Sequence, residues 1–189
     1  MAHFTAVYDA NVLYPAPLRD FLMHLALTDL FRARWTDDIH DEWIRNVLRD
    51  RPDLTREQLT RTKDLMNAHV RDCVVDGYRQ LIPGLELPDP DDRHVLAAAI
   101  RCSADVIVTF NLGDFPAEAL APYGIEAQHP DEFVLHLLDL NSGRVCAAAE
   151  RHWLTLKNPS KTPAEYLDTL LKQGLPQSVA TLRELCYQS

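Results

Sequence analysis

The chain has 189 residues, 47% of them apolar and 25% charged, which suits one globular domain with a small appendage and a sizeable core. Its formal charge of −9 excludes a generic nucleic-acid coat, because phosphate contacts need clustered Lys and Arg; an enzyme that grips nucleic acid through a metal and a few cations remains open. No stretch approaches the roughly 20 unbroken apolar residues of a membrane span, and the first residues lack the basic-then-apolar design of a signal peptide, so a cytoplasmic protein with no membrane partner is expected.

Phe4 to Tyr8 reads as a short buried strand, and Asp9-Ala10-Asn11-Val12-Leu13 follows it. Pro15 and Pro17 punctuate a turn before a helix expected from about Leu18 to Phe31, where Leu18, Phe21, Leu22, Leu25 and Leu30 fall at broadly helical spacing. Ala33 to Thr36 suggests a second brief strand, after which Asp37 or Asp38 caps a helix running through Ile39, Trp43, Ile44, Val47 and Leu48. Pro52 ends that helix. Thr55 with Gln58 forms a capping-box pattern for the next, from about Arg56 to Val70. Cys73 to Val75 suggests another strand before the Asp76-Gly77 turn.

The strongest local signal starts at Asp89-Pro90-Asp91-Asp92. Asp89 is placed to cap, Pro90 stands where an N1 proline is favoured, and Val95 to Ile100 continues as an Ala-rich helix able to lie close to a neighbour. Asp105 to Phe110 is a β-branched buried strand ending in the turn Asn111-Leu112-Gly113-Asp114-Phe115-Pro116. Strands alternating with helices imply an α/β domain with a mostly parallel sheet. Helical patterns then follow one another at Glu132–Leu140, Ser142–Thr155, Pro163–Lys172 and Gln177–Leu185, with Thr162 and Glu165 as a capping box and Gly174 as a stop. The expected organisation is an α/β domain over residues 1–135 and a small all-helical C-terminal extension over 136–189. Cys73, Cys102, Cys146 and Cys186 are far apart and form no C-x-x-C pair, so four buried, reduced thiols are expected.

Four acids stand out. Asp9 closes the first strand, Glu42 lies within a helix, Asp92 opens the Ala-rich helix and Asp114 follows the last strand. Ligands of open parallel sheets sit outside the carboxyl ends of the strands, the edge at which Asp9 and the Asn111–Asp114 turn must lie. Acids gathered there would repel one another unless a hard divalent cation, Mg²⁺ or Mn²⁺ rather than zinc, joined them. Each acid also has a structural explanation. Asp9 suits a turn; Asp89, Asp91 and Asp92 all complement a helix dipole, and Asp114 suits the shape of its turn. Asp37, Asp38 and Asp41 surround Glu42, and a solvated helix face explains all of them equally well. Thr109 and Asn111 are placed to orient a water or a phosphate. The eight histidines are dispersed, with surface or packing roles expected.

The segments Val7–Leu13, Asp89–Ala99 and Val106–Phe115 closely resemble the three signature segments of PIN-domain ribonucleases, and within them the VapC-type toxins of bacterial type II toxin–antitoxin pairs. The resemblance covers about Phe4 to Phe133. It implies a PIN-like α/β/α fold, endonucleolytic RNA cleavage dependent on Mg²⁺ or Mn²⁺, a homodimer, and inhibition by a cognate antitoxin. It assigns the catalytic site to Asp9, Glu42, Asp92 and Asp114, with the metal on Asp9, Asp92 and Asp114 and supporting polar roles for Asn11, Thr109 and Asn111. The helical extension has no counterpart in compact members of the family. Its Arg144, Arg151, Lys157 and Lys161 suit either contact with an RNA backbone or a solvated surface. Two other functions compete: phosphoryl transfer with Asp9 as nucleophile, which lacks a second acid at Asn11, and a module that binds RNA or a partner without cutting.

Overall fold

The computed structural model describes residues 3–188. Strands β1 (Phe4–Tyr8), β2 (Phe31–Arg34), β3 (Val106–Val108) and β4 (Glu126–Gln128) pair in parallel throughout, in the order β2-β1-β3-β4. The chain leaves β1 for β2 on one side and later returns to β3 on the other. The direction of winding therefore reverses between β1 and β3, where an open parallel sheet leaves a crevice at its carboxyl edge. Both strands are almost entirely buried, as expected for apolar strands covered on both faces.

Around the sheet lie α1 (Ala10–Leu13), α2 (Ala16–Ala26), α3 (Asp37–Asp50), α4 (Arg56–His69), α5 (Arg93–Arg101) and α6 (Ala117–Leu120). Beyond them come α7 (Pro130–Thr155), α8 (Pro163–Lys172) and α9 (Pro176–Cys186). An aromatic cluster fixes the core: Tyr8 stacks on Trp35 with centroids 6.0 Å apart, and Phe133 of α7 meets Phe31 edge-on at 5.1 Å. The Tyr8 hydroxyl donates to the Leu22 carbonyl at 3.0 Å, so this large buried ring leaves no orphan polar atom. No helix among the described residues is long and apolar enough to cross a membrane.

Several expectations hold and several need correction. The capping boxes at Thr55 and Thr162 are present, and Asp89 caps the short 3-10 turn Pro90–Asp92 that leads into α5. The break expected at Asn141 is a kink: Asn141 leaves the helical region, and its side chain accepts from the Arg144 N–H at 3.0 Å to restart the helix. By contrast, α2 begins at Ala16 and stops at Ala26, and the second strand lies two residues earlier than expected. Thr36, in extended conformation, caps α3; Asp37 and Asp38 instead fill its first turn, where their charge complements the dipole. Cys73–Val75 contributes only an isolated bridge, Trp35 to Val74. Strand β4 was not expected.

The thiol expectation also fails. Cys146 and Cys186 form a disulfide joining α7 to α9, with Cα atoms 5.5 Å apart, while Cys73 and Cys102 are free. Forty residues separate the pair, and only the packing of α7 on α9 brings them together. The extension is seated on α2. Arg144, a candidate for RNA contact, donates to the Thr28 carbonyl at 3.2 Å and so helps to anchor this seat.

His152, 1% exposed, lies between α2 and α8, with its ring on Phe21 and its Nδ1 2.9 Å from the Tyr166 hydroxyl. Burial, aided by His24, pushes its pKa down from 6.5 to about 4. The unfolded chain then takes up the proton first, so stability is fully present above about pH 6.5 and is lost as pH falls toward 4. Urea titrations at about pH 7 and 4.5 should differ by roughly 2–3 kcal/mol through this ring alone. His152→Phe should lose correspondingly less stability on acidification; an equal loss in both proteins would place the acid sensitivity elsewhere.

Candidate active site

Asp9 directly follows β1, and its backbone N–H still donates to the Val108 carbonyl at 3.0 Å, so the ladder with β3 fixes its position. Its side chain is 4% exposed and fully engaged. Oδ1 accepts from the Ala10 N–H at 2.7 Å; Oδ2 accepts from the Thr109 hydroxyl at 2.9 Å and the Asn11 amide at 3.3 Å. Asn11 Nδ2 also donates to Thr109 Oγ1 at 3.0 Å, and its Oδ1 accepts from the Phe110 N–H at 3.1 Å. The Asn111 N–H completes the set by donating to Thr109 Oγ1 at 3.1 Å. The Thr109 hydroxyl, donating once and accepting twice, has no capacity left for water or phosphate. It and Asn11 clamp Asp9 between the ends of β1 and β3, while Asn111 lines the open cleft.

That cleft, about 390 Å³, is lined by Asp9, Asn11, Glu42, Asp92 and Asn111 at one end and by Tyr14, Asn46, Arg49 and Asp50 at the other. Asp114 lies outside this lining but close enough to act on Asp92 electrostatically. Burial, opposed by the Thr109 hydrogen bond and reinforced by the Glu42 charge, pushes the Asp9 pKa up to about 6. Burial first, then the charges of Asp9, Asp114, Asp89 and Glu42, push Asp92 up to about 7. Burial is thus the main cause for both carboxyls, and the neighbouring acids add to it. The four acids share one electrostatic site.

His94 was missed by sequence reasoning. Its Nε2 lies 3.6 Å from Glu42 Oε2, an ion pair just beyond hydrogen-bond reach, which leaves Oε2 buried without a hydrogen-bond partner. Burial works against the imidazolium, yet Glu42, with Asp38 and Asp9 behind it, raises the His94 pKa overall. The available signal was position: His94 follows Asp92 by two residues at the start of α5, facing the same edge as α3.

All four acids are hard oxygen donors, the set that suits Mg²⁺ or Mn²⁺. The unpartnered Glu42 oxygen and the raised pKa values of Asp9 and Asp92 are features that a divalent cation relieves. As arranged, no group of three or more His, Cys, Asp or Glu side chains among the described residues is placed to hold an ion. The donor chemistry fits the cation.

A family model described as PIN domain matches residues 5–113, more than half of the chain, and takes in Asp9, Glu42, Asp92 and the β1–β3 clamp. The chain belongs to the PIN-domain family. The PIN match stops one residue short of Asp114. A second model, described as VapC50 C-terminal domain, matches residues 130–184 and so covers most of the helical extension. The chain is 45% identical over 109 residues to "Putative ribonuclease VapC50" of Mycobacterium tuberculosis; the match spans 58% of this chain and 63% of that protein, under two thirds of its length. No solved structure matches. The α/β fold with its parallel sheet, expected from the resemblance, is that of a PIN domain.

Proposed function

We propose that this PIN domain is a metal-dependent endoribonuclease that hydrolyses RNA phosphodiester bonds, the toxin of a toxin–antitoxin pair. The observation that carries this reading is the gathering of Asp9, Glu42 and Asp92 into one cleft at the β1–β3 switch point, with Asp114 coupled to them. Asp9, Asp92 and Asp114 would hold Mg²⁺ or Mn²⁺. When bound, such a cation neutralises charge growing on the phosphodiester and makes water a better nucleophile. Asp9 is held rigid by Thr109, Asn11 and Ala10, so its position costs no reorganisation during reaction. Glu42 lines the cleft and would orient the attacking water, while His94, 3.6 Å from its Oε2, steadies that carboxylate.

The relative's name, a ribonuclease, supports RNA as the substrate class. A cognate antitoxin, a homodimer and a cytoplasmic setting belong to the same proposal through the VapC resemblance. So does a division near residue 135, within α7, although Phe133, Ala148 and Ala149 share one continuous core. Asp9 as a nucleophile is disfavoured because Asn11, not a second acid, stands beside it.

Removing divalent ions with EDTA should abolish cleavage of cellular RNA by the purified protein, and Mn²⁺ or Mg²⁺ added back should restore it. Full activity after exhaustive chelation would refute the metal. Absence of any RNA cleavage with Mn²⁺, in preparations free of antitoxin, would favour a binding module instead.

A further inference from the structure

The far end of the cleft is chemically unlike the acid end. Glu42, Asn46 and Arg49 all line the cleft, and their spacing of four and three residues puts them on one face of α3. Glu42 and Arg49 are seven residues apart, about 10 Å along the helix axis, short enough for neighbouring nucleotides of a single strand. Arg49 is the cation among the cleft-lining side chains, the rest being acidic, neutral or aromatic.

Its guanidinium is exposed to solvent and oriented by an ion pair. Nε and Nη2 fork onto Asp50 at 2.9 and 3.1 Å, and the Tyr14 hydroxyl, from the turn between α1 and α2, donates to the same carboxylate at 2.8 Å. Adjacent residues on a helix do not ordinarily face each other. Here Asp50 draws Arg49 and Tyr14 together across two elements and holds the guanidinium at the cleft wall. Two of its five N–H groups are engaged, leaving three for a ligand. The remaining N–H groups, on Nη1 and Nη2 beside an acidic centre, suit a phosphate oxygen, the group for which Arg is better matched than Lys.

Building on the ribonuclease reading, we propose that Arg49, positioned by Asp50 and Tyr14, binds the phosphate of a nucleotide flanking the scissile bond, so that single-stranded RNA runs along α3 from Glu42 past Asn46. The subsite sets the register of the strand in the cleft by donating hydrogen bonds to that phosphate. It takes no part in bond breaking.

The test uses the full chain, Arg49→Ala and a labelled single-stranded oligoribonucleotide of about 12 nucleotides. A neutral methylphosphonate is placed at each linkage in turn. Arg49→Ala should raise KM about tenfold with kcat retained, and flatten the plot of log kcat/KM against log salt by about 0.7, the slope of one single-strand phosphate contact. Wild type should be penalised by the methylphosphonate at one flanking linkage, and the variant should be indifferent there. Unchanged KM and salt slope, or a loss of kcat tracking a loss of thermal stability, would overturn the proposal. Anisotropy with the same oligonucleotide separates the two readings. Binding that Arg49→Ala weakens, without cleavage by wild type, would defeat the ribonuclease and leave the phosphate subsite standing.

Discussion

Asp9→Asn is expected to eliminate RNA cleavage, by roughly a thousandfold or more, while leaving a folded protein. The loss follows from removing one anionic donor from a centre whose cation would contribute several kcal/mol to the transition state. Retention of fold follows from the electrostatics. The folded pKa of Asp9, about 6, lies above the 3.8 of an ordinary aspartate, so the folded state binds this proton more tightly than the unfolded chain. Ionising Asp9 therefore opposes folding, and stability from this group falls as pH rises from about 4 through 6, by about 3 kcal/mol in total. Asn carries no charge and escapes that cost. It gives part of the gain back, because its amide nitrogen would face the Asn11 amide, donor against donor. Without divalent ions at about pH 8, the variant should melt at or above the wild-type temperature. Mn²⁺ should raise the melting temperature of wild type and not that of Asp9→Asn. A fully active variant would remove Asp9 from the chemistry.

How much of this was legible in the sequence depended on whether a residue's role was local. Asp9 closing an apolar strand, Asp89-Pro90 opening a helix, and the two capping boxes are short-range patterns with a single physical solution each. Asn141 was equally readable, since a capping side chain interrupts the apolar pattern on either side of it. Strand β4 was not. Its Glu-Ala-Gln offers one apolar residue at the sheet edge, and its pairing with Val106–Val108 alone makes it a strand. The Thr36 cap was hidden because Thr-Asp-Asp presents three good capping residues and backbone dihedrals choose among them. In the site, the acids were legible as types at strand and helix ends. The saturation of the Thr109 hydroxyl, the His94–Glu42 pair and the Tyr14–Asp50–Arg49 lock are contacts between distant segments, and no spacing announces them.

Asp131→Ala should destabilise the protein by about 3 kcal/mol, or about 10 °C in melting temperature for a chain of this size. The reason lies at the start of α9. Leu175 stands at its N-cap and has no side-chain acceptor to offer, so the first N–H groups of the helix need a partner from elsewhere. Asp131, 5% exposed in the first turn of α7, supplies it: Oδ2 accepts from the Gln177 N–H at 3.1 Å and Oδ1 from the Ser178 N–H at 2.9 Å. The Ser178 hydroxyl donates back to the Asp131 carbonyl at 3.0 Å. Removing the carboxylate strands two backbone donors in a buried place and withdraws negative charge from a helix N-terminus. Asp131→Asn, which keeps one acceptor oxygen, should lose about half as much. The consequence reaches the candidate site through Gly174, between α8 and α9, where an added Cβ would lie 3.6 Å from the Phe110 ring. Phe110 joins Thr109 to Asn111, so a loosened extension withdraws support from the wall of the cleft. Hydrogen exchange should therefore quicken first at Gln177–Leu182 in Asp131→Ala, and RNA cleavage should fall with it. Unaltered melting and exchange would show that the seat of the extension lies elsewhere, in the disulfide and in the packing of His152 on Phe21.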